Sequence, residues 1–236
     1  MTSLSVVIPA YNEEKRLPAT LDRVVAWLGA QSLEFGELIV VNDGSRDGTA
    51  ALVERYRAGH PCVRLLENPG NRGKGYSVRH GMLEARGEWV LFSDADLSTP
   101  IEDASRLYDA ASSAGAHIAI GSRALDRTLV SKHQPALREF SGRFFNLVMR
   151  AATGLPFRDT QCGFKLYRAS AAREVFSRQK LDGFSFDVED LYIARRLGIP
   201  AVEVPVRWAN VEGTKVSALT GLKSFADLIR IRRGQR

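Results

Sequence analysis

Apolar residues fall into two alternating rhythms along the first half of the chain. Continuous apolar runs over 4–8, 37–41, 63–66, 89–92 and 117–120 are short and bounded by Gly, Asn, Asp and Pro, which predicts buried strands. Between them Leu17, Leu21, Val24, Val25 and Leu28 recur at helical spacing, and 50–58 and 74–85 read as further helices. Strands separated by helices predict βαβ units, hence an α/β fold with a mostly parallel sheet flanked by helices. Beyond 120 the rhythm is less regular. A long amphipathic helix is predicted over 134–152, with Leu137, Phe140, Phe144, Leu147 and Val148 on one side, followed by strands over 163–167 and 201–206 and a helix over 188–197.

Polar residues sharpen the picture. Three apolar runs end in Pro9-Ala10-Tyr11-Asn12-Glu13, Asn42-Asp43-Gly44-Ser45 and Ser93-Asp94-Ala95-Asp96. Each alone could be a turn, the second most of all. Ligands of an open parallel sheet bind beyond the carboxyl ends of its strands, so three such signatures at equivalent positions predict one crevice. Asp94 and Asp96, two apart on backbone expected to be extended, would face one hard cation, Mg²⁺ or Mn²⁺; a turn before a helix starting near Pro100 is the competing reading. Asn71-Arg72-Gly73-Lys74-Gly75 opens a helix. Its glycines, the helix N-terminus and the Lys74 charge suit an anion, although the glycine spacing is that of neither a P-loop nor a dinucleotide fingerprint.

With no internal repeat and no linker, 1–236 reads as one domain, with a nucleotide-binding half over 1–121 and an acceptor-handling half over 122–236. Hydrophobic content of 44% with 25% charged residues fits a globular protein with a substantial core. Cys62 and Cys162 match no metal or redox spacing, no signal peptide is evident, and no apolar run nears the ~20 residues that span a bilayer. These features predict a cytoplasmic protein. The net charge of +6 suits a polyanionic partner. Nucleic acid would explain the charge but not the strand-end signatures. Basic residues gather late, at Arg138, Arg143, Arg150 and Arg230 to Arg233, and mix with phenylalanines over 134–152 and with Leu222, Phe225, Leu228 and Ile229 in the tail. That mixture suits an anionic membrane surface or a helix packed with its arginines outward.

The runs Ser5-Val6-Val7-Ile8-Pro9-Ala10-Tyr11-Asn12-Glu13, Val41-Asn42-Asp43-Gly44-Ser45 and Asp94-Ala95-Asp96 resemble signatures of family 2 glycosyltransferases with the GT-A fold. Gly121-Ser122-Arg123, Asp159-Thr160-Gln161-Cys162-Gly163-Phe164-Lys165 and Arg207-Trp208 through Glu212-Gly213-Thr214-Lys215 are similar to the dolichyl-phosphate glucosyltransferase branch, with dolichyl-phosphate mannose synthases close behind. The resemblance implies inverting, metal-dependent hexose transfer from UDP-glucose to a polyprenyl phosphate, with GDP-mannose as second donor and a saccharide or small-molecule hydroxyl as rival acceptor. It places Pro9, Ala10, Tyr11, Glu13, Asp43 and Gly44 around the nucleoside and Lys74 at the diphosphate. Asp94, Ala95 and Asp96 fall at the sugar-proximal ribose and metal, and Arg123, Lys165 and Lys215 at the acceptor phosphate. Asp96, Asp159, Arg123 and Lys165 are the expected catalytic set, Asp187 competing with Asp159 as a base and reading equally as a helix cap. Eukaryotic members of that branch carry an N-terminal membrane anchor that this sequence does not show, so a peripheral membrane association on the cytoplasmic face is expected.

Overall fold

A computed structural model of the chain describes residues 1–132 and 147–211, together with 227, 230 and 231. Lys215, the tail arginines Arg232 and Arg233, and most of the amphipathic stretches over 134–152 and 222–233 lie outside the described residues; 147–153 are helical, as expected.

The chain builds β1 (Ser3–Ala10), α1 (Leu17–Ala30), β2 (Phe35–Asn42), α2 (Thr49–Gly59), β3 (Val63–Glu67), α3 (Lys74–Glu84), β4 (Trp89–Ser93), α4 (Asp103–Ser113) and β5 (Ile118–Ser122). A short β6 (Val130–Lys132), helical residues 147–153 (α5), β7 (Phe164–Arg168), α6 (Ala169–Phe176), α7 (Phe186–Arg196), β8 (Ala201–Pro205) and β9 (Trp208–Ala209) follow. The main sheet has the order β3-β2-β1-β4-β7-β5-β8, all parallel except β7, which runs against both neighbours. β6 and β9 form a separate parallel pair.

The sheet is buried on both faces, which is why its strands read as unbroken apolar runs. Val6, Ile8, Leu38 and Leu91 pack beneath α1 and α4, against Leu17, Leu21, Val24, Ala104 and Leu107. Val7, Ile39, Val90 and Ile120 pack on the opposite face against Val78, Met82, Val175, Val188 and Leu191 of α3, α6 and α7. Pro18 in the first turn of α1 fits its entry. Asp187 and Glu189 at the start of α7 and Arg195 and Arg196 at its end complement the helix dipole.

Candidate active site

Where the strand order reverses, the carboxyl ends of β2, β1 and β4 stand side by side: Ala10 pairs with Asn42, and β4 borders β1 on its other edge. The loops beyond them are tied together. Asp43 N–H donates to Ala10 O (2.8 Å), Asn12 N–H to Ser45 Oγ (2.9 Å) and Arg46 N–H to Asn12 Oδ1 (2.7 Å). Thr20 of α1 ties in the third signature by donating to Ala95 O at 2.7 Å. The three polar signatures thus lie together at one end of the sheet, with Pro9 and Tyr11 half-buried and Ala10 buried.

Asp43 is buried and ties in a neighbouring loop. Its Oδ1 accepts from Asn68 Nδ2 (2.8 Å) and Arg72 N–H (2.9 Å), and its Oδ2 from Gly73 N–H (2.8 Å). Gly44 beside it has φ +66° and backs directly onto Gly70. Glu13 is gripped by Arg16, Nε to Oε2 at 2.7 Å and Nη2 to Oε1 at 2.8 Å. The hydrogen bond to Glu13, with the nearby Asp96 charge, holds the Arg16 guanidinium above its ordinary value. Nothing in the sequence set Arg16 apart from other basic residues at a helix start; only the fold brings it near Asp96.

Asp94 and Asp96 depart from the extended geometry expected of them. β4 ends at Ser93, and residues 94–98 form a turn: Leu97 N–H donates to Asp94 O (3.2 Å), Ser98 N–H to Asp96 Oδ1 (2.9 Å), and Leu97 takes φ +46°. Asp94 is a third exposed, and its Oδ1 pairs with Lys74 Nζ at 2.7 Å. Its Oδ2 lies where a Cβ on Gly163 would sit, so glycine leaves a cradle for this carboxylate. Two partly exposed carboxylates at a strand end are hard oxygen donors of the kind Mg²⁺ or Mn²⁺ takes, but no group of three or more Asp, Glu, His or Cys side chains able to hold a metal occurs among the described residues, so any ion there would need further ligands from a bound diphosphate or water.

The glycine segment works differently from the expectation of an anion cradle. Gly75 N–H (2.8 Å) and Tyr76 N–H (3.3 Å) both donate to Asp182 O, so two free amides of the α3 N-terminus are already paired. Gln179 Nε2 donates to Gly75 O (3.0 Å), and Arg79 Nη2 to Asp182 Oδ1 (2.8 Å). Residues 179–183 therefore bracket the start of α3 and set Lys74 between the rings of Phe92 and Phe184, 5.3 and 5.8 Å from their centroids. Burial pulls the Lys74 ammonium down, but Asp94 and Asp187 outweigh it and hold it above its ordinary value. A Cβ on Gly75 would lie 2.8 Å from both Gly183 O and Phe186 Cβ. Gly75→Ala is accordingly expected to lower stability by about 1–3 kcal/mol, as thermal unfolding would measure.

The second half reaches the same end of the sheet because β7 is antiparallel. Phe164 at its start faces Ser93, and Asp94 N–H donates to Gly163 O (3.1 Å). Arg123, just past β5, is locked on Asp159: Nε to Oδ2 at 2.7 Å, Nη2 to Oδ1 at 2.8 Å, and its own N–H to Oδ2 at 3.0 Å. Its Cζ lies 5.5 Å from the Trp208 ring centroid. Burial would raise the Asp159 carboxyl, yet the charge and hydrogen bonds of Arg123 hold it below its ordinary value. Cys162 is buried alongside, and burial first, then the Asp159 charge, pushes its thiol up to about 12.

Lys165, expected at the acceptor phosphate, is wholly buried. It sits on β7 opposite Phe92 and Ile120, and its Nζ donates to Asp187 Oδ1 (2.5 Å), Asp187 O (3.0 Å) and Asp190 Oδ2 (3.4 Å). Tyr167 donates to the same Asp190 oxygen at 2.6 Å. All three ammonium hydrogens thus have carboxylate or carbonyl acceptors in the interior, so Lys165 does not face the crevice. Burial raises both carboxyls of this cluster, Asp190 to about 7, with Lys165 pulling against it.

The chain belongs to Glycosyl transferase family 2, whose pattern matches residues 5–176, β1 through α6. Among its relatives are dolichyl-phosphate beta-glucosyltransferases. The one from Dictyostelium discoideum is 39% identical over 97% of this chain and 73% of its own length, and the human one 37% identical over 97% and 74%. Solved structures share the fold. Glucosyl-3-phosphoglycerate synthase from Mycobacterium tuberculosis, crystallised with Mn²⁺, UDP-glucose and phosphoglyceric acid, superposes with TM-score 0.66 at 19% identity, covering 98% of this chain and 79% of that one. Mannosyl-3-phosphoglycerate synthase from Rubrobacter xylanophilus superposes with TM-score 0.70 at 16% identity, covering 100% and 76%.

Proposed function

We propose that the protein transfers glucose, with inversion, from UDP-glucose to a polyprenyl phosphate such as dolichyl phosphate. The glucosyltransferase relatives support the sugar and the acceptor. One observation in the site carries the choice of a phosphate over a hydroxyl acceptor: the carboxylates that would serve as a base are each committed to a cation. Asp159 is locked on Arg123 and Asp187 on Lys165. A hydroxyl acceptor needs a base, whereas a phosphate monoester, with a second pKa of about 6, arrives ionised at neutral pH. Asp159 is then a positioning residue for Arg123 rather than a proton acceptor.

In this reading a phosphate oxygen attacks the anomeric carbon in line, forming the glycosidic C–O bond as the bond to UDP breaks and its electron pair leaves with the diphosphate. Lys74 meets the negative charge that develops on the leaving group. Arg123 holds the acceptor through Nη1, which has no hydrogen-bond partner among the described residues. When bound by Asp94 and Asp96, Mg²⁺ or Mn²⁺ would offset diphosphate charge as a Lewis acid.

A lipid phosphate is met at the bilayer surface. No helix among the described residues is long and apolar enough to cross a membrane, and the reading places the protein as a peripheral one on the cytoplasmic face, touching lipid through 134–152 and 222–233. Calorimetry tests the donor: UDP-glucose should bind with Mn²⁺ present, and Lys74→Ala should weaken it about tenfold or more. Preference for GDP-mannose would replace the glucose assignment by a mannose one.

A further inference from the structure

Asp159 is held in place from an unexpected direction. The segment 154–163 that carries it contains no strand or helix, so little within it fixes the Asp159 backbone. Glu203, on the edge strand β8, reaches that backbone. Its Oε1 accepts from Arg158 N–H (3.0 Å) and Asp159 N–H (2.8 Å), and its Oε2 from Arg158 N–H (2.9 Å). Two consecutive amides converging on one carboxylate make charge-assisted hydrogen bonds, roughly twice as strong as neutral ones.

Glu203 is also out of keeping with its strand. It pairs in register with Ile120 of β5, a residue of the second core, so an apolar side chain is the ordinary occupant of this face. A charge on an edge strand can serve only to discourage pairing with other chains, but that task requires no particular acceptor geometry. Here the carboxylate spans from the sheet edge to the two amides immediately before the Asp159 side chain, which then grips Arg123 from three donors. A continuous series results: β8 carboxylate, loop backbone, Asp159 carboxylate, guanidinium.

We propose that Glu203 is a positioning residue for the acceptor: by clamping the 158–159 backbone it fixes Asp159, and through Asp159 it aims the open Nη1 edge of Arg123 into the crevice. The inference rests on the reading that Arg123 meets the acceptor phosphate. A guanidinium held on one side by a bidentate carboxylate keeps its planar fork in one orientation, which favours a phosphate presented from a fixed direction. Loss of the clamp releases the loop, and Arg123 and Asp159 remain paired but wander together.

The test is a steady-state comparison of full-length wild-type protein, Glu203→Gln, Glu203→Asp, Arg123→Ala and the double variant Glu203→Gln/Arg123→Ala, with UDP-glucose and a short polyprenyl phosphate. Both Glu203 variants should raise the KM for the lipid phosphate about tenfold, with the KM for UDP-glucose and its calorimetric affinity unchanged. Glu203→Asp keeps the edge charge but is one methylene short, so edge protection alone would leave it like wild type. The double variant should match Arg123→Ala, because an effect exerted through Arg123 vanishes once Arg123 is gone. Additive losses, or wild-type lipid KM in Glu203→Asp, with Arg123→Ala still impaired, would overturn the Glu203 role and leave the Arg123 reading standing. Undiminished use of lipid phosphate by Arg123→Ala would overturn both.

Discussion

Asp94→Asn is expected to lower hexose transfer by about 10³-fold or more while the protein stays folded. The carboxylate is the partner of Lys74 at 2.7 Å and, in the proposed mechanism, one of two ligands to a divalent ion, so the substitution would remove charge where that mechanism has the diphosphate depart. Little stability depends on it. The ion pair is partly exposed on both sides, and such pairs contribute about 0–1 kcal/mol; the backbone bond from Asp94 N–H to Gly163 O survives. Transfer rates and thermal unfolding of the same preparation separate the two effects. Asp96→Asn should behave alike, although its amide can still cap Ser98. Turnover retained in both variants, or undiminished in excess chelator, would remove the metal from the account.

Lys165→Met is expected to cost stability rather than chemistry, and to cost about 3–5 kcal/mol. Its ammonium is fully buried between Asp187 and Asp190, and removing it leaves two carboxylates in the interior without their cation. The loss should depend on pH. Burial already raises Asp190 to about 7, well above the ~3.9 of an unfolded aspartate. A group raised on folding favours the native state most below its unfolded pKa and loses that contribution as pH rises through the folded one. The variant should therefore be least stable relative to wild type above about pH 7 and recover part of the difference toward pH 5 as the carboxyls protonate. Urea unfolding at a series of pH values measures this. A small, pH-independent change would mean that Lys165 is not the counter-charge the geometry describes.

Much of this architecture is legible in the residues. Strands such as β1 and β4 are apolar on both faces, and their apolar runs stop abruptly before Pro9 and before Ser93-Asp94, so their identity and the clustering of polar residues beyond them follow from pattern alone. The place of β7 does not follow. Residues 163–167 read as a strand, one residue off the observed β7, but nothing local says that it inserts between β4 and β5, or that it runs the other way. α6 escapes for a related reason: Ala169 follows Arg168 with no turn residue between strand and helix. Site residues divide similarly. Asp94 and Arg123 lie at strand ends, where position suggests function. Lys165 looks like an exposed phosphate ligand until β7 is placed in the middle of the sheet, where its side chain has only the interior to enter. Gly73 and Gly75 look like an anion loop because close backbone approach is visible in sequence, whereas the approaching group, the carbonyl of Asp182, is about a hundred residues away. Glu203 and Arg16 carry no sequence signal, since their partners are defined only by folding.

The most direct measurement of the central claim is a product assay with purified protein, radiolabelled UDP-glucose and Mn²⁺. A polyprenyl phosphate in detergent is offered beside soluble sugar and glycerol hydroxyls. The account predicts label in an organic-extractable glucosyl phospholipid, lost with chelator and sharply reduced but measurable in Arg123→Ala, and none on the soluble hydroxyls. Equal transfer to the hydroxyl acceptors, with no labelled lipid, would contradict it.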